Sequence, residues 1–265
     1  MSQSQQYQSY HGYVDSNFLK IFAERRREHK RQIYQRMDIR PGQRILDIGC
    51  GPGTDTIPLA HLVGQTGHVA GIDQDETMVD EADRQAKASG VGGWVEHKVG
   101  DVLALPFADD HFDVCHAERV MLHLSEPAPA FAEIIRVTKP GGRIVLLDLD
   151  GASFSVETPE VETERRIAEA WIRFHNNSYA GRQLYGLFKK HRFRDVSVEI
   201  SPLLFESLAA YQQIFRLDGI ASKAIEAGMM TRDELERFEA SLEEAEEMGG
   251  FFAYGIFVTV VGSKP

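Results

Sequence analysis

The segment Arg44-Ile45-Leu46-Asp47-Ile48-Gly49-Cys50-Gly51-Pro52-Gly53 constrains the chain more than any other. A short apolar run opens it and three alternating glycines close it. The run has the length and composition of a buried strand. Glycine lets the backbone turn sharply and lets a ligand approach the main chain with no Cβ in the way. A helical pattern follows over residues 55–63 and stops at Gly64. Pro58 falls near its first turn, where a missing N–H costs little. The first unit is therefore strand, glycine turn, helix.

The same rhythm continues to Asp150. Residues 68–73 read as a strand, and residues 77–89 as a helix with Gly90 as its stop. Strands follow at 94–99 and 112–116. Ser125 is the expected N-cap of the next helix, which ends at Lys139-Pro140-Gly141-Gly142, and 143–148 is a fifth strand. Such alternation predicts a parallel sheet with crossover helices. Residues 1–40 read as a helical preface containing Phe18, Phe22, Ile33 and Met37. Residues 155–176 and 206–248 read as helices inserted around two last strands, near 195–201 and 251–261. Insertions there would cover the carboxyl ends of the strands, where open α/β sheets bind ligands.

Glycine spacing separates two nucleotide ligands. A dinucleotide site has G-x-G-x-x-G. Here the third glycine comes one residue early, and Thr54 stands where a nicotinamide site would carry glycine. Asp73 ends the next strand, 20 residues beyond Gly53. A carboxylate there can accept both ribose hydroxyls of an adenosine in either cofactor. The glycines must decide, and they favour S-adenosylmethionine.

On these residues the chain resembles the class I S-adenosylmethionine-dependent methyltransferases, and among them the quinone-biosynthesis-like, small-molecule branch. Four more segments carry the resemblance in the family's order. They are Gly71-Ile72-Asp73-Gln74, Gly100-Asp101-Val102 with Leu105-Pro106-Phe107, Phe112-Asp113-Val114, and Arg136-Val137-Thr138-Lys139-Pro140-Gly141-Gly142. It is detailed over residues 44–150 and holds in outline elsewhere. It implies an α/β fold: a Rossmann-like, seven-stranded, mostly parallel sheet flanked by helices, with helical N-terminal and inserted lid segments. The expected organisation is one domain over 1–265, with the preface at 1–40, a cofactor-binding core at 41–150 and helical lid insertions within 151–250.

The resemblance also implies a cofactor site. Backbone groups of the turn through Gly49, Cys50, Gly51 and Gly53 would meet the methionine part of the cofactor. Asp47 would hold the turn or reach the ammonium. Asp73 would bind the ribose, with Gln74 and Met78 beside it. After Gly100, Asp101 would accept from the adenine amino group while the Val102 N–H faces the ring. Ala117 and Glu118 would contact the amino-acid moiety or line the methyl end, and Tyr13 would close over the cofactor.

Methyl transfer from a sulfonium is an in-line displacement that gains most from holding the partners in line in a dry pocket. An acceptor that must lose a proton needs a base. His123 is the first candidate, just past the fourth strand, and Asp148, at the end of the fifth, is the second. Some O-methyltransferases of this branch carry a functional Asp there, together with a second His where this chain has Leu122. His175 on the lid is the third. Phe18, Phe22, Phe154, Trp171, Phe174, Tyr179 and Tyr185 suit either plain core or a pocket for an aromatic or isoprenoid-like acceptor. The basic run at 24–31 reads first as a solvated helix face and second as an attractor for an anionic acceptor. Residues 233–247 read as a solvated acidic helix with Leu235, Phe238 and Leu242 inward.

The formal net charge is -11, from 29 Lys+Arg against 40 Asp+Glu. That sign argues against nucleic acid as a partner. No segment has the length of a membrane span, and the N-terminus lacks an apolar signal region. Cys50 and Cys115 form no metal pattern, and two cysteines make no disulfide scaffold. Reduced thiols in a cytoplasmic setting are expected, with no metal site and a small-molecule acceptor. Three alternatives stay open: a fold that binds S-adenosylmethionine without methylating, a macromolecular acceptor, and a nicotinamide oxidoreductase. The oligomeric state is not legible.

Overall fold

The structure is a computed structural model that describes residues 16–215 and 217–265. Two helices, α1 (Ser16–Arg25) and α2 (Arg27–Met37), precede an alternating run: β1 (Arg44–Ile48), α3 (Thr56–Val63), β2 (His68–Asp73), α4 (Glu76–Ala88), β3 (Val95–Val99) and β4 (Phe112–Glu118). A 3-10 turn at Met121–His123 leads to α5 (Pro127–Val137), β5 (Thr138–Val156), α6 (Val161–Phe174), α7 (Ala180–Lys190) and β6 (Arg194–Phe205). Three helices, α8 (Leu208–Phe215), α9 (Leu217–Glu226) and α10 (Arg232–Glu247), precede β7 (Ala253–Ser263).

The seven strands form one sheet in the order β3-β2-β1-β4-β5-β7-β6. β7 runs antiparallel to both neighbours, and the other pairings are parallel. The expected seven-stranded, mostly parallel sheet is present. Central strands such as β1 are buried along nearly their whole length, as both covered faces require. One face packs α2, α3 and α6 through Ile33, Met37, Leu59 and Trp171. The other packs α5 and α7 through Phe131, Ile134, Leu184 and Phe188. The rings of Phe131, Phe188 and Phe193 meet there with centroids 4.9–5.6 Å apart.

Local chemistry sets most boundaries. Gly64 ends α3 with φ +66, and Asp75 caps α4 by accepting from the Thr77 N–H at 2.9 Å. Thr231 and Glu234 form a reciprocal capping box on α10, and Leu235, Phe238 and Leu242 of that helix are buried as expected. Ser125 is not a cap: α5 starts at Pro127, whose fixed φ suits a first helical position, and no side chain bonds its end.

Two features exceed the sequence expectation. β5 runs on to Val156, because β7 pairs with it as far as Ala253, across an irregularity between Asp150 and Ser155. Helix α7 carries two glycines and was not anticipated. Gly181 is there for contact: an added Cβ would lie 2.9 Å from the Asp148 carbonyl and the Asp150 N–H, so helix backbone rests directly on β5. The projecting end of β5, β7 and β6 supports α6 and α8–α10, which form an annex beside the parallel core. Among the described residues, no helix is long and apolar enough to cross a membrane.

Candidate cofactor and acceptor site

The sheet register brings the motif segments to one level. Ile48 lies opposite Ile72 of β2 and Ala117 of β4, and Asp73 lies opposite Val99. The turns that leave these strands therefore meet along one edge. Gly49 and Gly51 have φ of +69 and +51. At Gly49 a Cβ would also strike Val120 Cγ2 at 2.6 Å, so no larger residue fits. The Gly49 and Cys50 N–H groups both donate to the Ile72 carbonyl, at 2.7 and 3.0 Å. Gly53, with φ +84, closes the turn onto the Cys50 carbonyl at 3.1 Å. Burial, then the Asp47 and Asp73 carboxylates, push the Cys50 thiol well above its usual range, so it stays a protonated packing group.

Asp73 is half-buried. One of its oxygens accepts the Gly51 N–H at 2.9 Å and the other the Asp75 N–H at 3.0 Å. Each oxygen keeps a lone pair, so the carboxylate is fixed in place yet can accept a diol. Gln74 is exposed and Met78 half-buried beside it. The Gly100 N–H donates to the Asp73 carbonyl, which ties the third turn to the second. Asp101 is exposed and accepts the Leu103 N–H at 2.9 Å, while Val102 is buried. Tyr13 lies outside the described residues.

Below the turn lies a buried ionic cluster. Arg26, at the N-terminal end of α2, donates to Glu118 at 2.7 Å. Lys30 bonds Asp55 and lies 3.1 Å from Glu118, and Tyr34 donates to Asp55. Arg26, Lys30 and Tyr34 are four residues apart, one stripe of a helix. Burial opposes the Glu118 charge, but Lys30, Arg26 and Arg119 outweigh it and hold the carboxyl well below its usual range. Lys30 is likewise raised by Asp55 and Glu118 against its burial. Asp47 is buried and accepts from His116 Nδ1 at 2.8 Å. Burial raises the Asp47 pKa despite that bond.

This corrects the reading of the basic run as a solvated face. Arg27 and Arg31 are exposed and pair with Glu24 and Glu28, but Arg26 and Lys30 are buried. The missed residues are Arg26, Lys30, Tyr34, Asp55, His116 and Arg119. Only the four-residue spacing of the first three carried a signal.

On the far side of β4, the turn at Met121–His123 is stitched to the end of α6. Asn176 Nδ2 donates to the His123 carbonyl at 2.8 Å, and the Asn177 N–H to the Leu122 carbonyl at 3.1 Å. His123 opens to solvent but sits in a recess. Crowding by protein atoms, then the Arg119 and His175 cations, lowers its pKa to about 4. Asp148 is buried. Its oxygens accept the Leu149 N–H at 2.8 Å and the Leu122 N–H at 3.1 Å, so it holds the His123 turn in place. Burial raises its pKa to about 7 against those bonds. His175 donates Nδ1–H to the Trp171 carbonyl at 2.8 Å and stacks on the Trp171 ring at 3.9 Å. In the neutral ring this places the lone pair on Nε2. Of the aromatic set, Phe22, Phe154 and Trp171 are buried core, Phe174 is half-buried, and Tyr179 and Tyr185 are exposed.

Comparison with known proteins decides what this arrangement is. A family profile described as a methyltransferase domain matches residues 39–199, more than half of the chain. The chain belongs to this family. A 37.1 kDa protein in transposon TN4556 of Streptomyces fradiae is 33% identical over 90% of this chain and 68% of its own length. The ubiquinone/menaquinone biosynthesis C-methyltransferase UbiE of Vibrio parahaemolyticus is 29% identical, over 62% of this chain and 60% of that protein. With several curated relatives, UbiE among them, the match spans less than two thirds of their length. Among solved structures, YcgJ from Bacillus subtilis aligns at a TM-score of 0.59 with 21% identity, covering 88% of this chain and 96% of that one. That similarity shows the fold.

The methyltransferase is of the class I, S-adenosylmethionine-dependent kind, and its residues fit that cofactor. The turn carries glycine at three alternate positions, all with positive φ, so its main chain is bare of Cβ atoms there. Beside it, Arg26 Nη2, Asp47 Oδ2 and His116 Nε2 are buried with no hydrogen-bond partner among the described residues. A buried polar atom without a partner is costly. Donor and acceptor atoms of this kind suit an amino-acid zwitterion. The segments at 47–53, 73–78, 100–102 and 117–118 are thus gathered on one edge.

Proposed function

We propose that this methyltransferase moves a methyl group from S-adenosylmethionine to a small-molecule acceptor. The transfer would take place between the carboxyl ends of β1 and β4 and the end of α6. One observation supports the reading: the turn after β4 is hydrogen-bonded to residues 176 and 177, so the end of α6 would cover the acceptor side of the cofactor. A macromolecular acceptor needs an open groove. The UbiE relative, named for quinone biosynthesis, supports a small acceptor as well. The preface, core and annex act in this reading as cover, cofactor site and acceptor cover. The two buried free thiols support a reducing, cytoplasmic setting.

The cofactor supplies an activated methyl on a sulfonium, and the chain supplies position and dryness. Asp73 and the glycine turn hold the nucleoside and amino-acid ends. Glu118, kept ionised by Lys30 and Arg26, would lie towards the amino-acid end of the donor. His123 accepts the proton that an acidic acceptor group must lose; at a pKa of about 4 its ring is neutral near pH 7. Asp148 positions the His123 turn, and His175, held on Trp171, stands as the lid histidine of the same reading. The base contributes about 10²–10⁴-fold where it is needed.

The test is calorimetry with S-adenosylhomocysteine followed by transfer from methyl-deuterated S-adenosylmethionine into an extract of the cells that make the protein. Binding, and label in a small metabolite, are expected. His123→Gln keeps the binding and lowers transfer at least a hundredfold. The wild-type rate is flat from pH 8 down to about 5 and falls as the ring protonates towards pH 4. No binding, or label found only in protein or nucleic acid, defeats the reading.

A further inference from the structure

We propose that Arg119 is the handle for an anionic group, carboxylate or phosphate, on the acceptor, which makes the acceptor an acid built on an apolar body. This rests on the transferase reading and names the substrate class for the same site.

Arg119 follows Glu118, the last residue of β4, and precedes the His123 turn. Its φ is +58, a conformation L side chains rarely adopt, and its N–H donates to the Leu147 carbonyl at 2.8 Å. The surrounding structure therefore holds the backbone here in a conformation it would not choose alone. The guanidinium lies 4.7 Å over the Phe22 ring. Its Nε is buried with no hydrogen-bond partner among the described residues. The nearest acid, Glu118, is 3.8 Å away, beyond hydrogen-bond reach, and already serves Arg26 and Lys30. The Arg119 side chain remains 24% exposed, and its cation acts on both His123 and Asp148. It therefore stands on the acceptor side of Glu118.

Charge balance points the same way. Contact with Asp47 and the Asp55 and Glu118 charges raise the His116 pKa against its burial, and with that proton held the Asp47–His116 pair is neutral. Arg26, Lys30 and Arg119 then face two carboxylates, Glu118 and Asp55, which leaves one positive charge in excess. Asp148 directs both oxygens at backbone N–H groups, and Asp73 lies at the nucleoside end. S-adenosylmethionine, a zwitterion with a sulfonium, adds another positive charge. Arg26, with Nη2 unpartnered, stands ready for the cofactor's own carboxylate. Arg119 is then the planar fork left for a second anion, and the half-buried Val120 and Leu122 that follow it in the turn suit an apolar body.

The experiment separates the cell extract on an anion exchanger before assay and measures methyl transfer with each fraction. Methyl-accepting activity is expected in the salt-eluted fraction. Phosphatase treatment then abolishes it for a phosphate and spares it for a carboxylate. Arg119→Gln raises the half-saturating amount of that fraction about thirtyfold, with a smaller fall in maximal rate. Its S-adenosylhomocysteine affinity stays within threefold, and Arg119→Lys recovers part of the loss. Activity confined to the unretained fraction overturns the proposal and leaves the transferase reading intact. A Gln variant that loses S-adenosylhomocysteine affinity with acceptor saturation unchanged also overturns it, and assigns Arg119 to the cofactor. Failure of the wild type to bind S-adenosylhomocysteine, or no label in any fraction, removes both.

Discussion

The glycine turn and the ionic cluster beside it lie at the same end of the sheet and are built in opposite ways. In the turn, the determinants are neighbours in sequence. Gly49, Gly51 and Gly53 take left-handed backbone, and main-chain N–H groups make the bonds. In the cluster, the determinants are side chains far apart: Lys30 meets Asp55, and Arg26 meets Glu118 across 92 positions. The turn is closed by its own main-chain bonds and leaves no room for a side chain at Gly49. The cluster fixes α2 against the strand ends and sets the local charge. One is a shape and the other a field.

Removing a partner from the cluster should have the largest effect. Lys30→Met leaves Asp55 and Glu118 buried with less compensation, and the expected loss is about 3–5 kcal/mol of unfolding free energy in urea titrations. A loss under about 1 kcal/mol would mean the cluster only decorates a helix held by Ile33 and Met37. The pH dependence has a worked sign. Glu118 and Asp55 are depressed in the fold, so their contribution is full above the ordinary carboxylate range and is lost as pH falls below it. Acid titration of wild type against Lys30→Met should show a smaller limb in the variant, where Arg26 and Arg119 still hold Glu118 down.

Gly49→Ala breaks the other side of the comparison. It needs φ +69 and drives a methyl group into Val120. S-adenosylhomocysteine affinity should drop at least thirtyfold in calorimetry, with a stability loss of about 1–3 kcal/mol. Equal affinity would show that the turn is not the cradle. The smallest effect belongs to Arg31→Ala, one residue from Lys30 in sequence. Its ion pair with Glu28 is exposed, so the change in stability should stay within about 0.5 kcal/mol. A large loss there would blur the division of the basic run into two faces.

The parallel core was legible because each of its signals is local. A strand of apolar residues, a glycine at a left-handed position and a cap each act through residues a few places away. Asp73 could be placed for the same reason, since it ends a strand whose register follows from its own pattern. Helix α7 was not legible. Its glycines weaken any helical signal, and the reason for Gly181 is the β5 backbone more than thirty residues earlier. Asp148 reads in sequence as a candidate base at a strand end; the tertiary structure buries it and has it hold the His123 turn.

By itself, then, the sequence determined the alternating core, the glycine turn, the choice of cofactor over a dinucleotide, the position of Asp73 at a strand end, and those of Glu118 and His123 at and just past the end of the fourth strand. Only the tertiary structure decided which charges are buried. Arg26 and Arg27 are the same residue side by side, and a helix sends them to opposite faces. Which face meets Glu118 depends on how α2 docks on the sheet. Docking sums many weak contacts from distant parts of the chain, and no window of neighbouring residues contains them.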